Sequence, residues 1–221
     1  FYDNELVDGR AVAELPCSER PMFGPVVFFN SQKGQEARVG KTIENRTEVG
    51  VVTRLLRLLF DKYRDAPQWE IGVITAYKQQ QANLQDAVLQ LGIPTANISV
   101  NTIDGFQGRE MDIIIFSCVR SSGKSRIGFL SDVRRMNVAL TRARSALWVV
   151  GNIATLESNK DWRAYIKWVR ENALIVNVKD SFFTRSVWHA VYAQPTRPVY
   201  VPEKSPVPTP VISSPEATLT K

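Results

Sequence analysis

The chain has 221 residues, 44% of them hydrophobic, and carries a formal net charge of +6. That length suits one domain, or one domain with a tail, and the positive balance favours a polyanionic partner such as nucleic acid. A single histidine and two cysteines leave no zinc cluster and no Cys/His nucleophile pair, and no apolar run reaches the roughly 18 residues that a membrane span needs. The chain opens FYDNELVDGR, with no initiator Met and no signal-peptide pattern, and reads as part of a longer protein from a reducing compartment.

In chain order, Pro25 to Asn30 (PVVFFN) reads as a strand, and SQKGQEARVGKTIEN after it as a polar loop. Asn45 is a good helix N-cap, and Glu48 stands in capping-box position. Val49, Val52, Leu55, Leu56, Leu59 and Phe60 then recur at helical spacing, and the helix ends between Asp61 and Pro67. Ile71 to Thr75 is a second strand. Lys78 to Leu91 follows as an amphipathic helix, with Leu84, Ala87, Val88 and Leu91 on one face and Gly92 and Pro94 as its stop. Ile98 to Val100 and Asp112 to Val119 are strands, separated by a polar knot, DGFQGRE, from Asp104 to Glu110. Cys118, inside the second of these, reads as a buried thiol. The loop RSSGKSRIG contains Gly123-Lys124-Ser125, the end of a phosphate-binding pattern. The glycine that pattern needs five residues before the Gly-Lys pair is Cys118 here, so the segment reads as a solvated loop. Asp132 to Arg144 reads as a helix, Ala146 to Gly151 as a strand, Asp161 to Asn172 as a helix, and LIVNV from Leu174 as a last short strand.

Short, continuously apolar strands alternating with helices imply an α/β fold with a parallel sheet covered on both faces. Ligands in such sheets bind at the carboxyl ends of the strands, which puts the loops after Thr75, after Val100 and before the Asp132 helix at the working edge. The domain is expected over residues 1–180, with an amphipathic appendage at 181–193. From 194 to 221 the chain holds seven of its 12 prolines. That stretch cannot bury a core and reads as a disordered tail, with a protein partner that recognises its prolines as the second reading.

Arg135, Asn137, Thr141, Arg142 and Arg144 crowd the Asp132 helix, and Arg135 and Arg142 would share a face. Aligned guanidinium groups suit a phosphate; a solvated basic face is the plainer reading of the same pattern. Arg46 sits at a helix N-terminus, where first-turn amides favour an anion, or it belongs to an ordinary cap. Thr75 closes one strand and Asn101 and Thr102 another, and such groups commonly contact nucleic-acid phosphates without base specificity. Tyr77 is either a stacking platform for a base or an aromatic that closes the core.

Taken together, VNTIDGFQGREMDIIIFSCVR and GFLSDVRRMNVALTRARSALWVVGN resemble motifs V and VI of superfamily 1B helicases, in the group containing senataxin and the RNA helicase of nonsense-mediated decay. GVITAYKQQ resembles their motif IV, NRTE the preceding arginine segment, FFNSQKGQE the strand and loop just upstream, and FYDNELVDG the start of their second RecA-like domain. The resemblance covers roughly residues 1–175. It implies a RecA-like, P-loop NTPase-type sheet sandwiched by helices, with ATP and Mg2+ clamped against a first RecA-like domain that supplies the P-loop and the magnesium carboxylates. Neither motif is read in this chain, so alone it should not hydrolyse ATP. By motif position the resemblance makes Arg142 the principal arginine finger and Arg46 a second γ-phosphate ligand. It makes Glu110 the ribose-hydroxyl acceptor, Gly108 the close backbone approach near the phosphates, and Gln107 the coupling residue. Thr75 and Thr102, with Tyr77 and Asn101 beside them, become contacts to single-stranded RNA or DNA, or to an RNA–DNA hybrid. The same resemblance implies 5′-to-3′ movement and a place in the nucleus or cytoplasm, the nucleus favoured. Ala76 stands where many relatives carry proline. The competing expectation is a stand-alone nucleic-acid or protein-binding module that keeps the fold without ATPase activity.

Overall fold

Short apolar strands with no polar face must be covered on both sides, and that requirement organises the molecule. The computed structural model describes residues 24–62, 69–122 and 127–179. The opening segment, Cys17, most of the Ser-Gly-Lys-Ser loop, the 181–193 appendage and the proline-rich tail lie outside the described residues. The main elements are β1 (Val26–Asn30), a hairpin of β2 (Ala37–Val39) and β3 (Thr42–Glu44), α1 (Arg46–Lys62), β4 (Ile71–Thr75), α2 (Lys78–Leu89), β5 (Ile98–Thr102), β6 (Met111–Ser117), α3 (Val133–Leu140), β7 (Ala143–Gly151), α4 (Ile153–Leu156), α5 (Lys160–Glu171) and β8 (Ile175–Asn177). Six strands form one sheet in the order β5-β4-β6-β7-β1-β8, every neighbour pair parallel. This is the RecA-like α/β architecture that the sequence implies.

Alternation within the strands divides the core in two. Val73, Ile113, Ile115, Trp148 and Val150 face α1 and α2, where Leu55, Leu56, Leu84 and Val88 meet them. Ile74, Ile114, Phe116, Leu147 and Val149 face α3 and α5, with Met136, Trp162, Ile166 and Val169. Each large apolar side chain fully buried in this way contributes about 1.5–3 kcal/mol.

The polar knot is the connection between β5 and β6, which pair on opposite sides of β4. It returns from the carboxyl end of β5 to the amino end of β6 without a crossover helix, passing over the middle strand. Phe106 is the anchor of that passage, fully buried within a 3-10 turn at Asp104–Phe106. It sits directly on Gly72 of β4: a Cβ there would meet Phe106 Cε1 at 2.8 Å and Ile114 Cδ1 at 2.6 Å. So glycine at 72 is what lets the loop lie flat on the sheet.

Three expectations change. The loop after β1 contains the β2–β3 hairpin, paired Val39 to Thr42 around Gly40 at φ +57°. Glycine supplies the left-handed residue of the tight turn. The helix expected to reach Arg144 ends at Leu140, because Ala143 pairs with Met111 and opens β7; sheet pairing overrides the helix preference of the Thr141–Arg144 stretch. Arg135 and Arg142 therefore do not share a helical face. The capping box at Asn45 forms by half: Asn45 Oδ1 accepts from the Glu48 amide at 3.2 Å, while the Asn45 amide goes to Gln80 Oε1 at 2.8 Å and leaves the Glu48 carboxylate for another task.

Candidate functional site

The expected site residues fall at two opposite edges of the sheet. At the amino edge, the Met111 amide donates to the Arg142 carbonyl at 3.0 Å. That bond sets Arg142 beside Glu110, and both precede the strands they introduce. Gln107, Gly108, Arg109 and Glu110 are all exposed, and Gly108 adopts φ +77°, a backbone that only glycine takes without strain. The Arg142 guanidinium is held by neutral acceptors, Val138 O at 3.2 Å and Thr141 Oγ1 at 3.0 Å. Two other arginines of the same segment are paired with carboxylates. Arg144 bridges Asp112, at 3.0 Å, and Glu70, and Arg135 pairs with Asp104 at 3.3 Å. Among the described residues Arg142 meets no carboxylate, so its charge is free to meet an anion. The rule that placed the working groups at the carboxyl ends misses this edge, because the β5–β6 connection carries Gly108 and Glu110 back across the sheet.

Arg46 lies at the other end. It is exposed and ion-paired with Glu44 at 3.0 Å, in the first turn of α1, whose Glu48 reaches Ser117 at the end of β6. Arg142, just before β7, lies beside the start of that strand. At about 3.3 Å per residue, Met111 to Ser117 puts roughly 20 Å of sheet between them. Within this domain the two arginines are therefore not brought together.

The carboxyl edge is built around a buried carboxylate. Glu48 is wholly inaccessible and accepts from Ser117 Oγ at 2.7 Å and the Val119 amide at 2.8 Å. Asn45 Nδ2 donates to Val119 O at 3.0 Å, and Gln80 Nε2 donates to Ser117 Oγ at 3.0 Å. These bonds hold Val119 at φ +71°, a region that a β-branched residue occupies only when its surroundings impose it. Burial pushes the Glu48 carboxyl up to about 8. The same burial raises the thiol of Cys118, which is buried as expected. Nothing in sequence spacing joins Gln80 to Glu48; the network is tertiary.

Beside it opens a cleft of about 450 Å³, lined among others by Lys41, Tyr77, Lys78, Thr102, Phe129 and Arg135. Thr102 lines this space. Thr75 is fully buried just behind it, and its hydroxyl has no hydrogen-bond partner among the described residues. Asn101 turns its side chain inward, with Oδ1 accepting from the Thr102 amide at 2.8 Å and from Gln81 Nε2 at 3.2 Å. Tyr77 is the core-closing aromatic of its two readings: it is 4% exposed, its hydroxyl donates to Ile127 O at 3.4 Å, and its ring stands edge-on to Phe129. The exposed aromatic of the cleft is Phe129. It and Lys41 went unread in the sequence, where no spacing marks either of them. Among the described residues no group of three or more His, Cys, Asp or Glu comes together as a metal site requires, and no helix is long and apolar enough to cross a membrane.

Comparison with known proteins agrees with the resemblance read from the motifs. A family model described as an AAA domain matches residues 1–154. A probable helicase of Dictyostelium discoideum is 40% identical over 184 residues, covering 80% of this chain and 19% of that protein. Helicase SEN1 of Saccharomyces cerevisiae is 35% identical over 192 residues, 82% of this chain and 9% of its own length. The probable helicase senataxin of Homo sapiens is 32% identical over 180 residues, 81% of this chain and 7% of its own. The chain thus spans less than a fifth of the length of each of these relatives. With motifs IV, V and VI carried on a parallel sheet in the expected order, the chain belongs to this AAA-domain family, as a superfamily 1B helicase-like domain related to those of Sen1 and senataxin.

Proposed function

We propose that this chain is one half of an ATP-driven helicase motor. Its amino edge completes a nucleotide site on a P-loop-bearing RecA-like domain, and its carboxyl edge grips single-stranded RNA or DNA. The observation that carries this reading is Arg142: a partly buried guanidinium fixed by neutral acceptors, without a carboxylate, beside exposed Glu110 and the positive-φ Gly108. A flexible backbone for close approach, an acceptor for a sugar hydroxyl and an uncompensated cation fit a nucleoside triphosphate, which supplies the phosphoryl group to be transferred. Arg142 would stabilise the charge that spreads over that group in transfer, the role of an arginine finger. Glu110 would orient the ribose, and Gly108 would let the chain pass close to the phosphates. Magnesium would be held by the triphosphate and by carboxylates of the P-loop domain.

The two edges are joined twice, by the Thr102–Glu110 connection and by α3. That helix leads from Arg135, paired with Asp104 at the cleft, to Arg142 at the opposite edge. Closure on nucleotide would thereby change the grip on the strand, with Gln107 in the middle of the first route, and alternating grip would give 5′-to-3′ movement. Arg46, set apart at the carboxyl edge, has no part in this nucleotide site. The test is nucleic-acid-stimulated ATP hydrolysis by this domain joined to its P-loop domain. Arg142→Ala is expected to lower the rate by about 10³ or more with nucleic-acid affinity kept. Hydrolysis unchanged by that substitution sinks the assignment.

A further inference from the structure

The cleft at the carboxyl edge holds a feature that the motor reading does not use. Phe129 is 55% exposed, yet it sits in a firmly built turn. Its neighbours Ile127 and Leu130 are buried on either side, and Leu130 O accepts from Trp162 Nε1 at 2.8 Å. Gly128 turns the chain at φ +59°, where a Cβ would lie 2.9 Å from the Arg120 guanidinium and 3.0 Å from the Tyr77 hydroxyl. The fold thus fixes the backbone on both sides of Phe129 and directs its ring outward. Tyr77 braces it edge-on with centroids 5.8 Å apart, and the Arg135 guanidinium lies 5.1 Å from the ring centroid. Arg135 is only lightly restrained, by 3.3 Å contacts to an exposed Asp104.

The cations around this ring are placed with equal care. Lys41 sits at the tip of the β2–β3 hairpin, which is fastened to α2 by Thr42 Oγ1 accepting the Gln79 amide at 3.4 Å and by Asn83 donating to Glu44 at 2.7 Å. Lys78 opens α2 on the same cleft. The cleft lining thus has Lys41, Lys78 and Arg135 against the single carboxylate of Asp104. An outward aromatic with cations at its rim is the chemistry of a base with its flanking phosphates.

We propose that this cleft is a one-nucleotide subsite for a single-stranded nucleic acid. Phe129 is its base-stacking platform, bared when Arg135 exchanges Asp104 for a phosphate, and Lys41 and Lys78 hold the backbone on either side. The proposal rests on the nucleic-acid reading of this edge, and the experiment separates the two. The 221-residue chain is titrated into a labelled dT12 oligonucleotide and into an abasic 12-mer with the same phosphates, followed by fluorescence anisotropy at several salt concentrations. Phe129→Ala and Phe129→Leu are expected to weaken dT12 about tenfold and to leave the abasic strand unchanged. Lys41→Ala and Lys78→Ala are expected to weaken both strands and to lower the salt slope by about one each. If the Phe129 variants bind dT12 like the parent, or lose both strands equally, the stacking platform is overturned while the lysine losses keep the nucleic-acid interface. If no variant weakens either strand, the nucleic-acid reading of this edge falls and the subsite with it.

Discussion

At the carboxyl edge the polar groups that hold the strand ends are buried and bonded to one another, from Glu48 through Ser117 and Val119 to Asn45 and Gln80. At the amino edge Gln107, Arg109 and Glu110 are exposed, and half-buried Arg142 meets no carboxylate among the described residues. The contrast shows where one fold keeps its rigidity and where it leaves a valence for something else. A buried acceptor that loses its donors costs stability, whereas truncating a half-buried cation held only by neutral acceptors leaves no buried charge unpaired.

The largest effect that tests this division is at Arg142. Arg142→Ala is expected to reduce ATP hydrolysis about a thousandfold while the thermal midpoint of the domain stays within a degree or two. Arg142→Lys should recover little of the rate, since an ammonium lacks the planar fork. A large fall in melting temperature would mean that the amino edge is structural after all. Next comes Glu48. Glu48→Ala leaves the Ser117 hydroxyl and the Val119 amide unmet and is expected to cost about 2–4 kcal/mol in denaturant unfolding, with no direct effect on nucleotide. Its pH dependence has a definite sign. Burial raises the folded carboxyl to about 8 against an ordinary 4.5, so the folded state holds the proton more tightly. The stability this contributes is complete below about pH 4.5 and is lost as pH rises toward 8. Glu48→Gln, which imitates the protonated form, should flatten that slope; a parent protein whose stability climbs over the same window would overturn the buried-acid reading.

A smaller loss is expected at the strand that links the edges. Gly72→Ala pushes a methyl into Phe106 and Ile114 and should cost about 1–3 kcal/mol, read in urea unfolding. If Phe106 is the anchor described, amide exchange in the Asp104–Glu110 loop should accelerate as well. Smallest is Asp104→Asn. Its pair with Arg135 is exposed and worth at most about 1 kcal/mol, so stability should hold while affinity for a single strand rises two- to threefold. Weaker binding would show that Asp104 positions Arg135 instead of competing for it.

Much of the fold is legible in the sequence because its strands are apolar on both faces and its helices keep strict spacing; β1, β4, β6 and α1 need no tertiary information. The hairpin is not, since β2 and β3 are three residues long and β2 is exposed throughout, with no buried face to pattern it. The end of α3 is misread because Thr-Arg-Ala-Arg continues a helix as readily as it starts a strand, and only the pairing of Ala143 with Met111 decides. The site divides in the same way. Motif spacing groups Arg46 with Arg142 and Glu110, whereas the fold sets Arg46 at the carboxyl edge and the other two at the amino edge, a placement that spacing along the chain does not encode. That Tyr77 is buried and Phe129 exposed follows from the packed turn around Gly128, which periodicity does not encode.

The connection from Thr102 to Glu110 is held at its centre by one buried ring, Phe106, resting on bare backbone at Gly72. The same segment is tied to the sheet at both ends, where the Ile103 amide donates to Thr75 O at 3.0 Å and the Met111 amide to Arg142 O at 3.0 Å. A connection held at three points behaves as a brace: it ties β5 to β6 across β4, so that loosening the ring at its centre lengthens the unsupported span between two edges of the sheet.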